Sequence, residues 1–247
     1  EGFGPMPGGI KQHPFNQVNG LKKIINKNTA AVVIELIQGE AGIVPAKKVF
    51  INEIKKLCRK NNALIVIDEV QSGVGRTGHL YAYEKYNIKP DILCSAKGMG
   101  NGIPIGAILT TNKVAKAMQV GAHGSTYGGN PLACSVSYEV FKEVSKKSFL
   151  NSVIKKEKLF ISLLNDLNKK YNCFTAVRSA GLWIGLELNS KIENLTLQNI
   201  MSSAYDEGLM ILKANNNTLR LAPALTISEK EIKLGVKKLE KSLSRLL

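Results

Sequence analysis

Residues Ala63–Glu69 (ALIVIDE) form a continuous apolar run that ends in two carboxylates. Three further runs of the same kind occur at Ala30–Leu36, Ile92–Cys94 and Ile105–Thr110. An amphipathic stretch with apolar residues at helical spacing, from Ala46 to Lys60, lies between the runs at Ala30–Leu36 and Ala63–Glu69. Strands that are apolar at every position are buried on both faces, which is typical of a parallel sheet covered by helices. The first part of the chain therefore predicts an α/β fold with a mainly parallel sheet.

The pattern changes beyond residue 130 to long helical periods followed by short strands. Helices are predicted at Pro131–Lys147, Val153–Lys170 and Leu195–Glu207, and strands at Val177–Leu188, Met210–Lys213 and Thr218–Ala222. Ser228 and Glu231 fit a capping box before a closing helix over Ile232–Leu246. We place a domain boundary near residue 142, which makes 1–142 the later part of a large domain and 143–247 a smaller α+β C-terminal domain.

The composition indicates a globular protein. Of the 247 residues 44% are hydrophobic and 6% aromatic, and no run approaches the roughly 20 apolar residues of a membrane span. No membrane association is therefore predicted. The four cysteines (Cys58, Cys94, Cys134 and Cys173) lie far apart and form no CxxC pair. This spacing indicates reduced thiols, no metal site and a cytoplasmic protein.

The chain is basic, with 34 Lys and Arg against 19 Asp and Glu and a net charge of +15. Such a charge raises nucleic acid as a possible partner. The lysines, however, are scattered on helical segments such as Lys55-Lys56 and Lys237-Lys238 without interleaved aromatic residues. Solvated helix faces explain this pattern, and no nucleic-acid partner is predicted. An anion or nucleic-acid binder is the weaker alternative, which strongly salt-dependent binding to duplex DNA would favour.

Two polar side chains follow predicted strands, at the edge where open α/β sheets bind ligands. Asp68 ends one strand, and Lys97 follows another. A lysine amine can form a Schiff base with an aldehyde, and a carboxylate can keep a pyridine nitrogen protonated so that the ring accepts electrons. Each residue alone is a weak signal, but together they predict a cofactor, and pyridoxal phosphate is one that needs both groups.

Four longer strings resemble the class III aminotransferases in sequence, order and spacing. They are QGEAG (38–42), IDEVQSGVGRTG (67–78), SAKGMGNGIPIG (95–106) and HGSTYGGNPLA (123–133). The resemblance extends from Gly2 to the last helix and implies a fold-type I pyridoxal-phosphate-dependent transferase. Family members carry a further segment before this point. Since the chain begins at Glu1 with a Gly/Pro-rich entry, we expect its N-terminal part to be missing.

The resemblance implies a cofactor role for five residues. Lys97 corresponds to the Schiff-base lysine, which also moves the proton during catalysis. Asp68 would pair with the pyridinium nitrogen, and Gln71 would bind the phenolic oxygen of the ring. Thr126, with Ser125 beside it, would reach the cofactor phosphate of a second subunit. A homodimer is therefore implied, although a Gly/Ser/Thr-rich loop is also ordinary turn chemistry.

Two further residues correspond to the family's substrate-binding residues. Arg220, in the string LRLAP (219–223), would bind a substrate α-carboxylate through the two-pronged geometry of its guanidinium. Glu40 would neutralise that arginine while an ω-amino donor is bound and release it for 2-oxoglutarate. His123 is predicted to be a loop or interface residue rather than an acid or base, and Trp183 a core residue.

Residues 208–213 (GLMILK) and 123–126 most resemble the arginine-biosynthesis branch of the family. This implies N-acetylornithine as donor and 2-oxoglutarate as acceptor, with a semialdehyde and glutamate as products. Ornithine, succinylornithine and 4-aminobutyrate are alternative donors, because Leu36, Leu221 and Ala224 stand where the family commonly has Pro, Phe and Pro. A non-catalytic dimerising fragment is the alternative from another class, and cofactor binding would discriminate the two.

Overall fold

Two four-stranded sheets organise residues 4–5 and 7–247, the part of the chain that the computed structural model describes. The strands are β1 Ala31–Glu35, β2 Ile37–Gln38, β3 Val44–Pro45, β4 Leu64–Asp68, β5 Ile92–Ser95, β6 Ala107–Thr110, β7 Phe174–Ser179, β8 Ile184–Leu188, β9 Leu212–Ala214 and β10 Thr218–Leu221. The α-helices are α1 Leu21–Ile24, α2 Lys48–Asn61, α3 Tyr83–Tyr86, α4 Asn112–Ala115, α5 Pro131–Val144, α6 Lys147–Tyr171, α7 Leu197–Asp206 and α8 Glu229–Ser244. A short 3₁₀ helix spans Lys97–Gly100.

The first sheet has the strand order β1-β4-β5-β6. β4 pairs in parallel with both β1 and β5, whereas β6 runs antiparallel to β5 at the edge. The predicted mainly parallel sheet is thus confirmed, with one antiparallel edge strand. Because β4 and β5 are parallel, the segments that leave Asp68 and Ser95 start from the same edge of the sheet.

The second sheet has the order β7-β8-β10-β9 and is antiparallel throughout. The single strand predicted over Val177–Leu188 is wrong, since β7 and β8 are two paired strands joined by a tight turn. In that turn the Ala180 backbone N–H donates to the Trp183 carbonyl at 2.9 Å, and Gly181 has a φ of +65°. The turn residues are mostly apolar, so the hydrophobic pattern runs through the reversal.

Each sheet has its own apolar core. Helix α2 packs Phe50 and Ile54 with Ile34 and Ile67 of the first sheet, and Trp183 joins this cluster from the β7–β8 turn. Helices α6, α7 and α8 supply the second cluster on β8 and β10. Helix α8 starts at the predicted Ser228–Glu231 capping box, which the structure confirms. Within the described residues no helix is long and apolar enough to cross a membrane.

The two faces of the first sheet differ in exposure. Ile34, Ile65 and Ile67 are buried on the face that α2 covers. On the opposite face Val33 and Ile108 are each 71% exposed, and the register places the half-buried Val66, Ile92 and Cys94 between them. The described part of the chain therefore leaves one apolar face of this sheet uncovered.

Candidate active site

A cavity of about 540 Å³ is lined by the segments that follow strands of the first sheet, by strands β9 and β10 of the second sheet with their flanking turns, and by helices α5 and α6. Four residues predicted to act on the cofactor or substrate line it together: Glu40, Gln71, Lys97 and Arg220. Its volume lies in the range of about 300–1,000 Å³ that small-molecule and cofactor sites occupy. The structure thus joins segments 180 residues apart in the chain, as the ion pair of Glu40 with Arg220 shows.

Lys97 opens the 3₁₀ helix after β5 and is exposed, so its amine is accessible. Its backbone has a φ of +47°, in the left-handed region that non-glycine residues rarely adopt. Val74, another residue of the cavity wall, has a φ of +52°, which is an outlier for a β-branched side chain. Each such strained backbone conformation costs on the order of 1–3 kcal/mol of folding free energy, and residues of this kind tend to cluster at functional sites. The strain at Lys97 therefore supports its predicted role.

One carboxylate oxygen of Glu40 contacts both Arg220, which is predicted to bind a substrate carboxylate, and Gln71. Glu40 Oε1 accepts from Arg220 Nη1 at 2.6 Å and from Gln71 Nε2 at 3.1 Å. These hydrogen bonds hold the pKa of Glu40 below its usual range, that from Arg220 having the larger effect. The Arg220 side chain is only 18% exposed, whereas that of Glu40 is 70% exposed. Buried Arg220 Nε has no partner among the described residues, which leaves this guanidinium with an unused donor.

The turn that carries Glu40 fits closely against the cavity wall. A Cβ on Gly39 would lie 2.2 Å from Trp183 Cζ2 and 2.4 Å from Gln71 Oε1. Only glycine therefore allows this turn to approach both side chains. Trp183 is 3% exposed and belongs to the first core cluster, which confirms its prediction as a core residue. It also lines the cavity, a role that the sequence did not indicate.

Asp68 ends β4 and does not line the cavity. Its side chain is half-buried and accepts from the Val70 backbone N–H at 2.9 Å. Glu35, which we did not predict, stands beside it in register on β1. Burial raises the pKa of Glu35, the charges of Asp68 and Glu40 raise it further, and a backbone hydrogen bond from Gly39 and the nearby Lys97 oppose this. The detectable signal was a second carboxylate at the end of a buried strand.

Ser125 and Thr126 lie apart from this group. Both are exposed in the loop between α4 and α5, and neither lines the cavity. Ser125 Oγ accepts from the Gly128 backbone N–H at 3.0 Å. His123 is exposed in the same loop. The assignment of Ser125 and Thr126 to a phosphate of a second subunit therefore stays a prediction.

The residues present fit pyridoxal phosphate. Lys97 provides a primary amine at a strained backbone position, and Gln71 and Asp68 come from the same edge of the sheet. The volume of the cavity is large enough for a ligand of this size. The carboxyl edge of parallel strands is also where open α/β sheets bind cofactors. Lys97 would hold the cofactor aldehyde and Gln71 would contact its ring, whereas the pairing of Asp68 with the ring nitrogen stays a prediction because Asp68 does not line the cavity.

The comparisons with known proteins agree with this arrangement. Residues 3–243 match the model of the family described as aminotransferase class III, whose members depend on pyridoxal phosphate. The chain is 49% identical over 245 residues to an acetylornithine/succinyldiaminopimelate aminotransferase of Buchnera aphidicola, covering 99% of this chain and 60% of that protein. It thus spans about 60% of the length of the curated relatives it matches.

Two solved structures are similar over nearly the whole chain. The N-acetylornithine aminotransferase of Stenotrophomonas maltophilia matches with a TM-score of 0.88 and 33% identity, over 97% of this chain and 63% of that one. The ornithine delta-aminotransferase of Plasmodium falciparum matches with a TM-score of 0.90 and 30% identity, over 99% and 63%. These neighbours confirm the fold-type I prediction. With the cavity residues in place and the family model matched over residues 3–243, the chain belongs to the class III aminotransferases.

Proposed function

We propose that this chain forms the later part of a pyridoxal-phosphate-dependent aminotransferase that moves the δ-amino group of N-acetylornithine to 2-oxoglutarate. The products are the semialdehyde and glutamate, a reaction that would serve arginine biosynthesis. The names of the relatives from Buchnera aphidicola and Stenotrophomonas maltophilia support this donor. When bound, the cofactor supplies an electron sink for the carbon that loses its proton.

The observation that carries the proposal is the Glu40–Arg220 pair beside Lys97. N-acetylornithine reacts at a δ-amino group that has no adjacent carboxylate, so a free guanidinium near the reacting carbon would lack a partner. Glu40 provides that partner. 2-Oxoglutarate reacts beside its own α-carboxylate, which can displace the exposed Glu40 and bind Arg220 in its place. One cavity can therefore accept two substrates of different charge.

Lys97 would hold the cofactor aldehyde and, once the donor amine has displaced it, its free Nζ would take the proton from the substrate carbon and return it. The exposed position of Lys97 at the start of the 3₁₀ helix leaves its amine accessible for this role. Gln71 has two roles in this account, since its amide donates to Glu40 and would also bind the cofactor ring. We further propose a cytoplasmic homodimer in which Ser125 and Thr126 bind the phosphate held by the second subunit.

The test measures glutamate formed from 2-oxoglutarate with each of four donors: N-acetylornithine, ornithine, succinylornithine and 4-aminobutyrate. We expect the highest kcat/KM with N-acetylornithine. Lys97→Ala should lower turnover by about a thousandfold or more, whereas Lys113→Ala, an exposed lysine of α4, should not change it. Normal turnover in Lys97→Ala would contradict the mechanism. Turnover with none of the donors would favour a non-catalytic dimerising fragment.

A further inference from the structure

Arg76 lines the cavity, but the proposed transamination does not use its side chain. It lies eight residues after Asp68, in the loop that also carries Gln71. Its Nη1 donates to the Leu182 carbonyl at 2.9 Å and to the Pro223 carbonyl at 2.6 Å. One guanidinium nitrogen therefore binds two points of the chain that lie 106 and 147 residues away in sequence.

Both acceptors belong to the second sheet and its turns. Leu182 lies in the β7–β8 turn, and its backbone N–H donates to the Arg76 carbonyl at 3.1 Å. Pro223 follows β10 and lies three residues after Arg220. A Cβ on Gly181 would lie 2.3 Å from the Arg76 carbonyl oxygen, so glycine alone allows the turn to come this close. Arg76 is thus bound to the second sheet through its side chain and its backbone.

Arg76 forms no ion pair within the described part of the chain, although it is half-buried. Burial lowers the pKa of Arg76 to about 10, so the side chain stays protonated at neutral pH. Hydrogen bonds from a charged donor are shorter and stronger than those between neutral groups. Arg76 therefore holds these two carbonyls, and with them the second sheet, through hydrogen bonds from a charged donor.

We propose that Arg76 is a positioning residue that fixes the guanidinium of Arg220 relative to Lys97 and Gln71. Arg76 binds the backbone carbonyl of Pro223, three residues after Arg220, while the Arg220 side chain donates to Glu40, which Gln71 also contacts. Without Arg76 the segment after β10 loses its tie to the loop after β4. The carboxylate-binding group then no longer stands at a fixed distance from the reacting amine. The inference rests on the proposed function in one respect, namely that Arg220 binds a carboxylate.

The test is the binding of glutarate, an unreactive dicarboxylate, to the chain. Trp183 is the only tryptophan and lines the cavity beside Leu182, so its fluorescence reports the titration. The variants are Arg76→Ala, Arg220→Ala and the double variant, with Arg245→Ala as control because Arg245 lies at the end of α8, outside the cavity. If Arg76→Ala does not fold, Arg76→Lys replaces it in the same set of single and double variants.

We expect Arg76→Ala to weaken glutarate binding about tenfold and Arg245→Ala to leave it unchanged. The double variant should bind no more weakly than Arg220→Ala alone, because Arg76 acts through Arg220. Arg76→Lys should show the same non-additivity with a smaller loss. Additive effects would mean that Arg76 contacts the ligand directly and would overturn the inference. Absence of saturable glutarate binding to the unaltered chain would also overturn the inference. Failure of the proposed function would show separately, as the absence of cofactor bound to Lys97.

Discussion

The pairing of Glu40 with Arg220 combines an exposed carboxylate with a largely buried guanidinium. An ion pair of this kind is screened by solvent on one side and contributes little to stability. We propose that its value lies in exchange, because a substrate carboxylate would take the place of Glu40 on the guanidinium. The hydrogen bond from Arg220 keeps the pKa of Glu40 below its usual range, so the carboxylate stays charged near neutral pH. We therefore expect the pair to open by displacement and not by titration.

Replacing Glu40 tests this exchange. Glu40→Gln leaves an amide of the same shape but removes the negative charge that competes with substrate. We expect the KM for 2-oxoglutarate to fall about three- to tenfold and glutamate to become a better donor, since Arg220 is then available to α-carboxylates. Steady-state kinetics with both substrates measure this change. Glu139→Gln, an exposed and ion-paired glutamate of α5, is the matched control and should change neither constant.

Glu35 provides a pH-dependent prediction. Its pKa is raised in the folded chain by burial and by neighbouring carboxylates, so folding favours its protonated form. That contribution to stability is present below the unfolded pKa of about 4.3 and is lost as pH rises through the folded value. Glu35→Gln should therefore raise the melting temperature at pH 7, by roughly 1–3 °C, and have no effect near pH 4. An unchanged melting temperature at pH 7 would show that Glu35 bears no cost of burial.

At the scale of elements, the apolar runs predicted β1, β4 and β5 to within two residues, and amphipathic spacing predicted α2 and α8. Their patterns are set locally, by burial on one or both faces. The β7–β8 turn was missed because Leu182 and Trp183 continue the apolar pattern across a reversal that only Gly181 marks. Those two residues are apolar because they pack against the cores of the two sheets. A local pattern cannot show a requirement that comes from tertiary packing.

Gly181 makes the importance of this turn measurable. Gly181→Ala places a Cβ 2.3 Å from the Arg76 carbonyl oxygen at a φ of +65°, so both packing and backbone oppose it. We expect a loss of about 2–4 kcal/mol in the free energy of unfolding, measured by denaturant titration. Gly121 has a similarly positive φ of +82° with nothing within 4 Å of its Cβ position. Gly121→Ala should cost only about 1 kcal/mol, and equal losses at the two sites would rule out the close contact.

At the scale of the whole molecule, the cavity exists because distant segments meet. The roles of Lys97, Gln71, Glu40 and Arg220 were predicted from strings that resemble the family, and the structure brings all four residues to one cavity. Arg76 lies in such a string as well, but its acceptors are backbone carbonyls that carry no sequence signal. Trp183 lines the cavity, and the absence of a Cβ at Gly39 lets the turn with Glu40 pack against it. The family resemblance thus predicted residue roles, and the structure added the contacts that hold them.

The open face of the first sheet gives a prediction at the scale of the whole molecule. Val33 and Ile108 are each 71% exposed on a face shared with Val66 and Ile92. Such a patch should bind the dye ANS in the folded chain. Val33→Lys with Ile108→Lys should lower ANS fluorescence by about half or more, because two charges then interrupt the patch. Met210 is 84% exposed but lies outside this sheet, so Met210→Lys should leave the ANS fluorescence unchanged. If Met210→Lys lowered the fluorescence as much as the double variant, the dye would bind elsewhere.

The central claim is that Lys97 holds pyridoxal phosphate in a cavity that also contains Arg220. The most direct test adds pyridoxal phosphate to the purified chain, reduces it with borohydride and maps the modified lysine by peptide mass spectrometry. We predict modification at Lys97, accompanied by a new absorbance band above the protein region, and loss of both in Lys97→Ala. Modification spread over the exposed lysines of the helices, with Lys97 unmodified, would contradict the account.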